Sequence, residues 1–126
     1  MDLLDTQLYN LIGDDGFERL IAAFYRRVPA DEILGPMYSA SDISAAQWRL
    51  REFLVGRFGG PERYIQARGH PRLRMRHNPF TINQAARDRW LSLMNAALNE
   101  TNLPPQANIL LRKFFEDSAT FIINAK

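Results

Sequence analysis

The sequence predicts an all-α fold, on three observations. Apolar residues recur at helical spacing in four separate stretches, nothing alternates with period two over a strand length, and Gly and Pro mark the ends of the periodic stretches. The 126 residues, with no repeat or linker-like stretch, predict a single domain over 1–126. A chain of this length buries about two-thirds of its extended surface without staples.

The elements follow in order. Asp14 or Asp15 is placed to cap a helix in which Phe17, Leu20, Ile21, Phe24 and Val28 share a face, and Pro29 ends it. A short helical turn is expected over Asp31 to Leu34, then a break at Gly35-Pro36. Ser41 or Asp42 opens a second strong helix with Ile43, Ala46, Leu50, Phe53 and Leu54 on one side, stopped by Gly59-Gly60-Pro61. Residues 62–80 carry Gly69, Pro71 and Pro79, and their sparse apolar positions predict one short helical piece, around Arg72 to His77. Asn83 caps a third strong helix with Ala86, Trp90, Leu93, Met94 and Ala97 on its stripe. Pro104-Pro105 suits the first turn of the last helix, whose expected buried face is Leu111, Phe114, Phe115, Phe121 and Ile122.

Composition narrows the chemistry. The chain has no Cys, which excludes disulfides, thiol catalysis, iron–sulfur clusters and covalent haem attachment through C-x-x-C-H. With His70 and His77 as its only histidines, a His-rich metal cage is also disfavoured. Any metal is therefore held by carboxylates or arrives inside an organic cofactor. No phosphate-binding G-x-x-x-x-G-K motif, Ser/His/Asp order or facing carboxylate pair stands out. No apolar run approaches the roughly 18–20 residues that cross a bilayer. The first ten residues carry two acids and no base, unlike a secretory signal, so a soluble cytoplasmic chain with no membrane partner is expected.

The net charge of +2 conceals an asymmetry. Between Arg49 and Arg89, ten Arg stand against Glu52, Glu62 and Asp88, and the rest of the chain is acidic. A solvated surface with ion pairs explains most of this. The alternatives are a nucleic-acid face or a rim gripping a small anionic ligand, since guanidinium suits bidentate contact with carboxylate or phosphate.

Four residues look chemically useful. His77 follows Leu73 by four residues, so a helical turn there aims both the same way, and an imidazole presented to an apolar, aromatic cavity is a usual way to hold haem iron. The plain alternative is a His bonded to a nearby carbonyl, which suits His70 in its Gly-His-Pro turn. Tyr25 lies on the buried stripe of the first helix, Tyr38 follows the Gly-Pro turn, and Trp90 faces inward from a later helix. Each alone is adequately explained as core. Together they bring three donors on apolar bodies to one interior, enough to surround a small polar ligand.

The chain resembles the group II truncated haemoglobins over nearly its full length. The resemblance rests on F-Y-R-R-V at 24–28, M-Y at 37–38, R-L-R-E-F-L at 49–54, G-G-P-E-R-Y at 59–64, R-G-H-P-R-L-R-M-R-H-N-P-F at 68–80 and R-D-R-W-L at 87–91. It implies a 2-on-2 globin fold, two crossed helix pairs around a non-covalent b-type haem. Carried over to this sequence, His77 becomes the iron ligand, and Tyr25, Tyr38 and Trp90 the distal group around dioxygen. Ala46 takes the place where longer globins often carry a distal His, and Leu50 covers the distal haem face. Leu73 and Phe80 flank the haem, while Arg49, Tyr64 and Arg76 form the propionate rim. Two departures stand out: Gly13 is followed by Asp14 where the family usually has Gly-Gly, and Tyr38 stands where Phe is common.

The resemblance implies a haem protein that binds dioxygen, CO and NO, as a sensor, scavenger or short-range oxygen carrier. The alternative is an enzyme detoxifying nitric oxide or peroxide with an external reductase, because the chain has no room for a flavin domain. A nucleic-acid module over residues 49–89 ranks far behind. Monomer and homodimer remain open.

Overall fold

A computed structural model of the chain describes residues 5–38, 41–72, 77 and 82–124. These form five α-helices with no strand among the described residues: α1 (Leu8–Arg27), α2 (Ile43–Arg57), α3 (Arg63–Arg68), α4 (Gln84–Thr101) and α5 (Pro105–Phe121). Short 3₁₀ turns cover Asp5–Gln7 and Gly35–Met37.

The core is organised on α1, which packs against α2, α4 and α5, while α3 lies on α2 and α5 on α4. Phe17, Leu20, Ile21, Phe24 and Val28 are all fully buried along one stripe of α1. Burying each large side chain stabilises the fold by about 1.5–3 kcal/mol before entropy is subtracted. From the facing helices come Leu54 and Val55, Met94, Ala97 and Leu98, and Leu111 and Phe115. The expected faces of α2 and α4 thus hold, with Ile43, Leu50, Phe53, Trp90 and Leu93 half-buried and packed against the core.

Several elements differ from expectation. The helical run begins earlier than expected, at Leu8. Gly13, with a φ of 65° and a ψ of −179°, interrupts it, so the stretch that carries the Phe17 to Phe24 stripe restarts where expected, at Asp14. A single glycine suffices for the bend, since the next residue returns to helix. Asp14 and Asp15 spend their carboxylates elsewhere: Asp14 accepts from Tyr9 and Arg63, and Asp15 from Arg19. Gly35-Pro36 does not break the chain but starts a 3₁₀ turn, because proline's fixed φ suits the first turn of a helix. Residues 62–80 contain α3, a helix the sparse pattern concealed. Only Tyr64 of its six residues is buried, so no stripe could form. On α5, Phe121 is 58% exposed and Ile122 half-buried, because Ala119 is the last buried residue of the helix, which ends at Phe121. Leu73, Arg76 and Phe80, and most of the helical piece expected around Arg72 to His77, lie outside the described residues; His77 itself is helical.

The Gly59-Gly60 pair brings two segments into contact. Gly59 has φ +98°, and a Cβ there would stand 2.2 Å from the Thr6 carbonyl oxygen. At Gly60 it would stand 2.6 Å from ring Cδ1 of Tyr9. The close approach lets the Tyr9 N–H donate to the Phe58 carbonyl at 3.0 Å, tying the start of α1 to the end of α2. Gly59→Ala therefore adds steric clash to an unfavourable φ. It is expected to lower unfolding free energy by about 3 kcal/mol in urea denaturation, the range for combined strain and overpacking.

Candidate functional site

Tyr25 stands one residue from Phe24 on the most buried helix of the fold, and its side chain is nearly closed off from solvent at 6% exposure. A buried phenol needs a hydrogen-bond partner, and Tyr38 is that partner: the rings meet edge-on at 5.7 Å and the two hydroxyls share a hydrogen bond. Burial is the main cause that lifts both phenols above the ordinary tyrosine value, well above it for Tyr25. At Tyr25 the proximity and hydrogen bond of Tyr38 add to the rise; at Tyr38 the hydrogen bond with Tyr25 opposes it. Arg49, on α2, acts on both in the opposite direction through its positive charge.

Trp90 joins this pair through an intermediate ring. Its indole lies 5.1 Å from Phe24, which stands edge-on to Tyr25 at 4.9 Å. On its other side Trp90 meets Phe115 at 5.3 Å, so the indole is held between α1 and α5. The structure therefore brings Tyr25 and Tyr38 into direct contact and sets Trp90 one ring away. Ala46 is buried, and Leu50 is half-buried against the core on the same helix as Arg49. Tyr64 is placed deeper than a rim residue needs: it is buried, with its ring 5.9 Å from Phe53 and the Arg68 guanidinium 6.0 Å from it.

His77 is half-buried, in contrast to the exposed His70. Its carbonyl accepts from Asn124 Nδ2 at 3.2 Å. Asn124 also receives the Ile82 N–H on Oδ1 at 2.8 Å, and its own N–H donates to the Ile82 carbonyl at 2.8 Å. One side chain after the last helix thus pins both ends of the stretch that runs from His77 to Ile82. No sequence signal pointed to Asn124.

Two further features escaped sequence reading. Glu52 is 3% exposed yet charged, its two oxygens taken by Arg51 and Arg63. Arg63 in turn pairs with Asp14 at 2.6 Å, so part of the basic segment is consumed in closing α2 and α3 onto the bend of α1. Arg57 with Asp5, Arg87 with Asp88 and Arg89 with Asp31 account for more of it. The second feature is Asp31, whose two oxygens serve different elements; an aspartate two residues after Pro29 was a cue for such a turn.

Removing Asn124 tests the pinning. Asn124→Ala deletes the acceptor of the Ile82 amide, so hydrogen exchange at Ile82 is expected to accelerate at least tenfold, equivalent to losing about 1.4 kcal/mol of protection. Exchange in the middle of α4 is expected to stay unchanged.

Comparison with known proteins places this arrangement. The model of the bacterial-like globin family matches residues 7–124. A group 2 truncated haemoglobin of Bacillus subtilis is 34% identical over 116 residues, covering 92% of this chain and 87% of the relative. Among solved structures, haemoglobin from the thermophilic phototroph Chloroflexus aurantiacus superposes with a TM-score of 0.89 at 42% identity, covering 93% of this chain and 97% of that one. A truncated oxygen-avid haemoglobin from Bacillus subtilis gives 0.88 at 33% identity, covering 93% and 98%. With the helix order, the buried phenol pair and these likenesses agreeing, the chain belongs to the bacterial-like globins as a group II truncated haemoglobin with the 2-on-2 globin fold.

Proposed function

We propose that the protein binds dioxygen, and related diatomic ligands such as CO and NO, at a non-covalent b-type haem ligated by His77, with Tyr25, Tyr38 and Trp90 stabilising the ligand. The observation that carries this reading is the hydrogen-bonded Tyr25–Tyr38 pair, buried beside an indole.

The donor set fits a haem better than a bare ion. Among the described residues no group of three or more His, Cys, Asp or Glu side chains is placed to hold a metal. A haem would bring its own ring nitrogens for the iron and would ask the protein for a nitrogen ligand and apolar walls. His77 supplies the nitrogen in this reading. Tyr38, Leu50, Phe53 and Trp90, half-buried against the core, supply apolar surface. Ala46, Leu73 and Phe80 complete the slot, and Arg49, Tyr64 and Arg76 serve the propionates. Arg49 has a second role here, because its charge already acts on both phenols.

When bound, ferrous haem supplies reversible binding of diatomic ligands and gives dioxygen partial negative charge. The protein's part is to meet that charge with donors away from water, where a hydrogen bond is electrostatically stronger. Indole only donates; each phenol both donates and accepts. One phenol proton is spent within the Tyr25–Tyr38 pair, so the other phenol proton and the Trp90 N–H are the two donors left for a ligand. The small side chain of Ala46 leaves a lateral path for entry.

Oxygen dissociation measured by stopped flow tests this. Trp90→Phe is expected to raise the off-rate roughly tenfold or more, as loss of a hydrogen bond to a charged acceptor costs about 1.5–3 kcal/mol. Tyr25→Phe, which breaks up the phenol pair, is expected to raise it as well. Unchanged off-rates in both variants would remove the distal group from the account. Sustained turnover of nitric oxide or peroxide with a supplied reductant would move the protein to the enzyme reading.

A pH profile adds a second check. Raised phenol pKa values keep both hydroxyls protonated, and so able to donate, through the ordinary tyrosine range near 10. The off-rate is expected to stay flat from neutral pH to about 10 and to rise only beyond it, as the phenols ionise. A rise beginning near pH 8 would show that the donors are not the buried phenols.

A further inference from the structure

Asp31 lies in the connection between α1 and α2, and its carboxylate is 4% exposed. Its two oxygens do separate work. Oδ1 accepts the backbone N–H groups of Ile33 at 2.9 Å and Leu34 at 2.8 Å, which closes the turn after α1. Oδ2 accepts from Arg89 Nη1 at 2.7 Å, fifty-eight positions away in sequence.

The backbone carries the turn onward from there. The Asp31 N–H donates to Val28 at 3.0 Å, the Gly35 N–H donates to the Asp31 carbonyl at 2.9 Å, and the Tyr38 N–H donates to Gly35 at 3.1 Å. An unbroken run of backbone hydrogen bonds thus links Asp31 to Tyr38, while its carboxylate fixes the Ile33 and Leu34 amides inside the same turn. At the other end, Arg89 immediately precedes Trp90 on α4. Burial opposes ionisation of Asp31, but the bonds from Leu34, Arg89 and Ile33 outweigh it and hold its pKa below the ordinary aspartate value. The group is a carboxylate at neutral pH.

A turn cap needs only one oxygen. The second oxygen ties the segment presenting Tyr38 to the helix presenting Trp90, two elements otherwise joined along the chain only through residues 39–83. We propose that Asp31 is a positioning residue which, through its ion pair with Arg89, sets where the Tyr38 phenol sits relative to Tyr25 and Trp90. The inference rests on the reading of those three side chains as the ligand-binding group for its functional meaning. Its geometric content stands apart from that reading.

The division between oxygens makes a clean test. Asp31→Asn keeps an oxygen for the Ile33 and Leu34 amides and replaces the Arg89-facing oxygen with an NH2 group. Arg89→Gln removes the charged donor from the other side and leaves the turn untouched. Arg89→Lys returns a cation. Each variant is prepared as the haem-loaded ferrous CO complex with carbon-13 at tyrosine Cζ. The measured quantities are the Tyr38 Cζ resonance, the C–O stretching band and the thermal midpoint.

Asp31→Asn and Arg89→Gln are expected to shift the Tyr38 resonance in the same direction, with the double variant shifting it no further than either alone. Arg89→Lys restores it in part. The oxygen off-rate should rise roughly three- to tenfold in both single variants, as for one misaligned hydrogen bond. A Tyr38 resonance unmoved in both Asp31→Asn and Arg89→Gln overturns the inference, whatever happens to the thermal midpoint. A resonance that moves while Trp90→Phe and Tyr25→Phe leave the off-rate and C–O band unchanged supports the positioning and rejects the ligand-binding reading instead.

Discussion

Tyr25 places a hydroxyl among the buried side chains of α1, and the fold is arranged to satisfy it. Leaving that group unpaired would cost about 1–3 kcal/mol, so a partner must be delivered from another element. Tyr38 is the partner, brought in by the turn that follows α1. Once one phenol has donated to the other, a second phenol proton is still free to give. The same burial that demands the pair keeps both phenols neutral, and a neutral donor is what a partly negative diatomic ligand requires.

Around this pair the aromatic rings form a continuous support. Phe24 touches both Tyr25 and Trp90, Trp90 touches Phe115, and Phe115 leads through Phe114 to Phe58. Contacts of this type are worth about 0.5–1.5 kcal/mol each beyond area burial, and they fix ring positions rather than merely fill space. Charge plays the complementary part at the periphery. Glu52 between Arg51 and Arg63, and Asp31 under Arg89, are nearly closed off from water, and each joins segments distant in the chain. Exposed pairs such as Arg19 with Asp15 contribute little by comparison.

The strong helices were legible because their apolar stripes are long enough to show a period. The Phe17 to Val28 stripe and the Asn83 cap, whose side chain accepts from the Ala86 N–H, are cases where local chemistry and tertiary packing agree. The helix α3 was hidden because a six-residue helix anchored by Tyr64 alone has no stripe to read. Phe121 misled for the opposite reason: it is apolar, but it lies two residues past Ala119 and off the buried stripe of Ala107, Leu111, Phe115 and Ala119. For the site, residue type and spacing singled out His77, Tyr25, Tyr38 and Trp90. Periodicity could not reveal which of them touch, since Tyr38 meets Tyr25 directly and Trp90 through Phe24. Asp31, Arg89 and Asn124 act through bonds to distant backbone and side chains, and pairings across dozens of residues leave no local mark.

The central claim is that this chain holds a haem through His77 and binds diatomic ligands beside the phenol pair. The most direct measurement is the absorption spectrum of the purified protein titrated with haem, taken ferric, after dithionite reduction, and after exposure to CO and to oxygen. The account predicts one-to-one uptake with globin-like oxygen and CO bands, lost in His77→Ala and kept in His70→Ala. Absence of stoichiometric uptake, or bands that survive in His77→Ala, would contradict it.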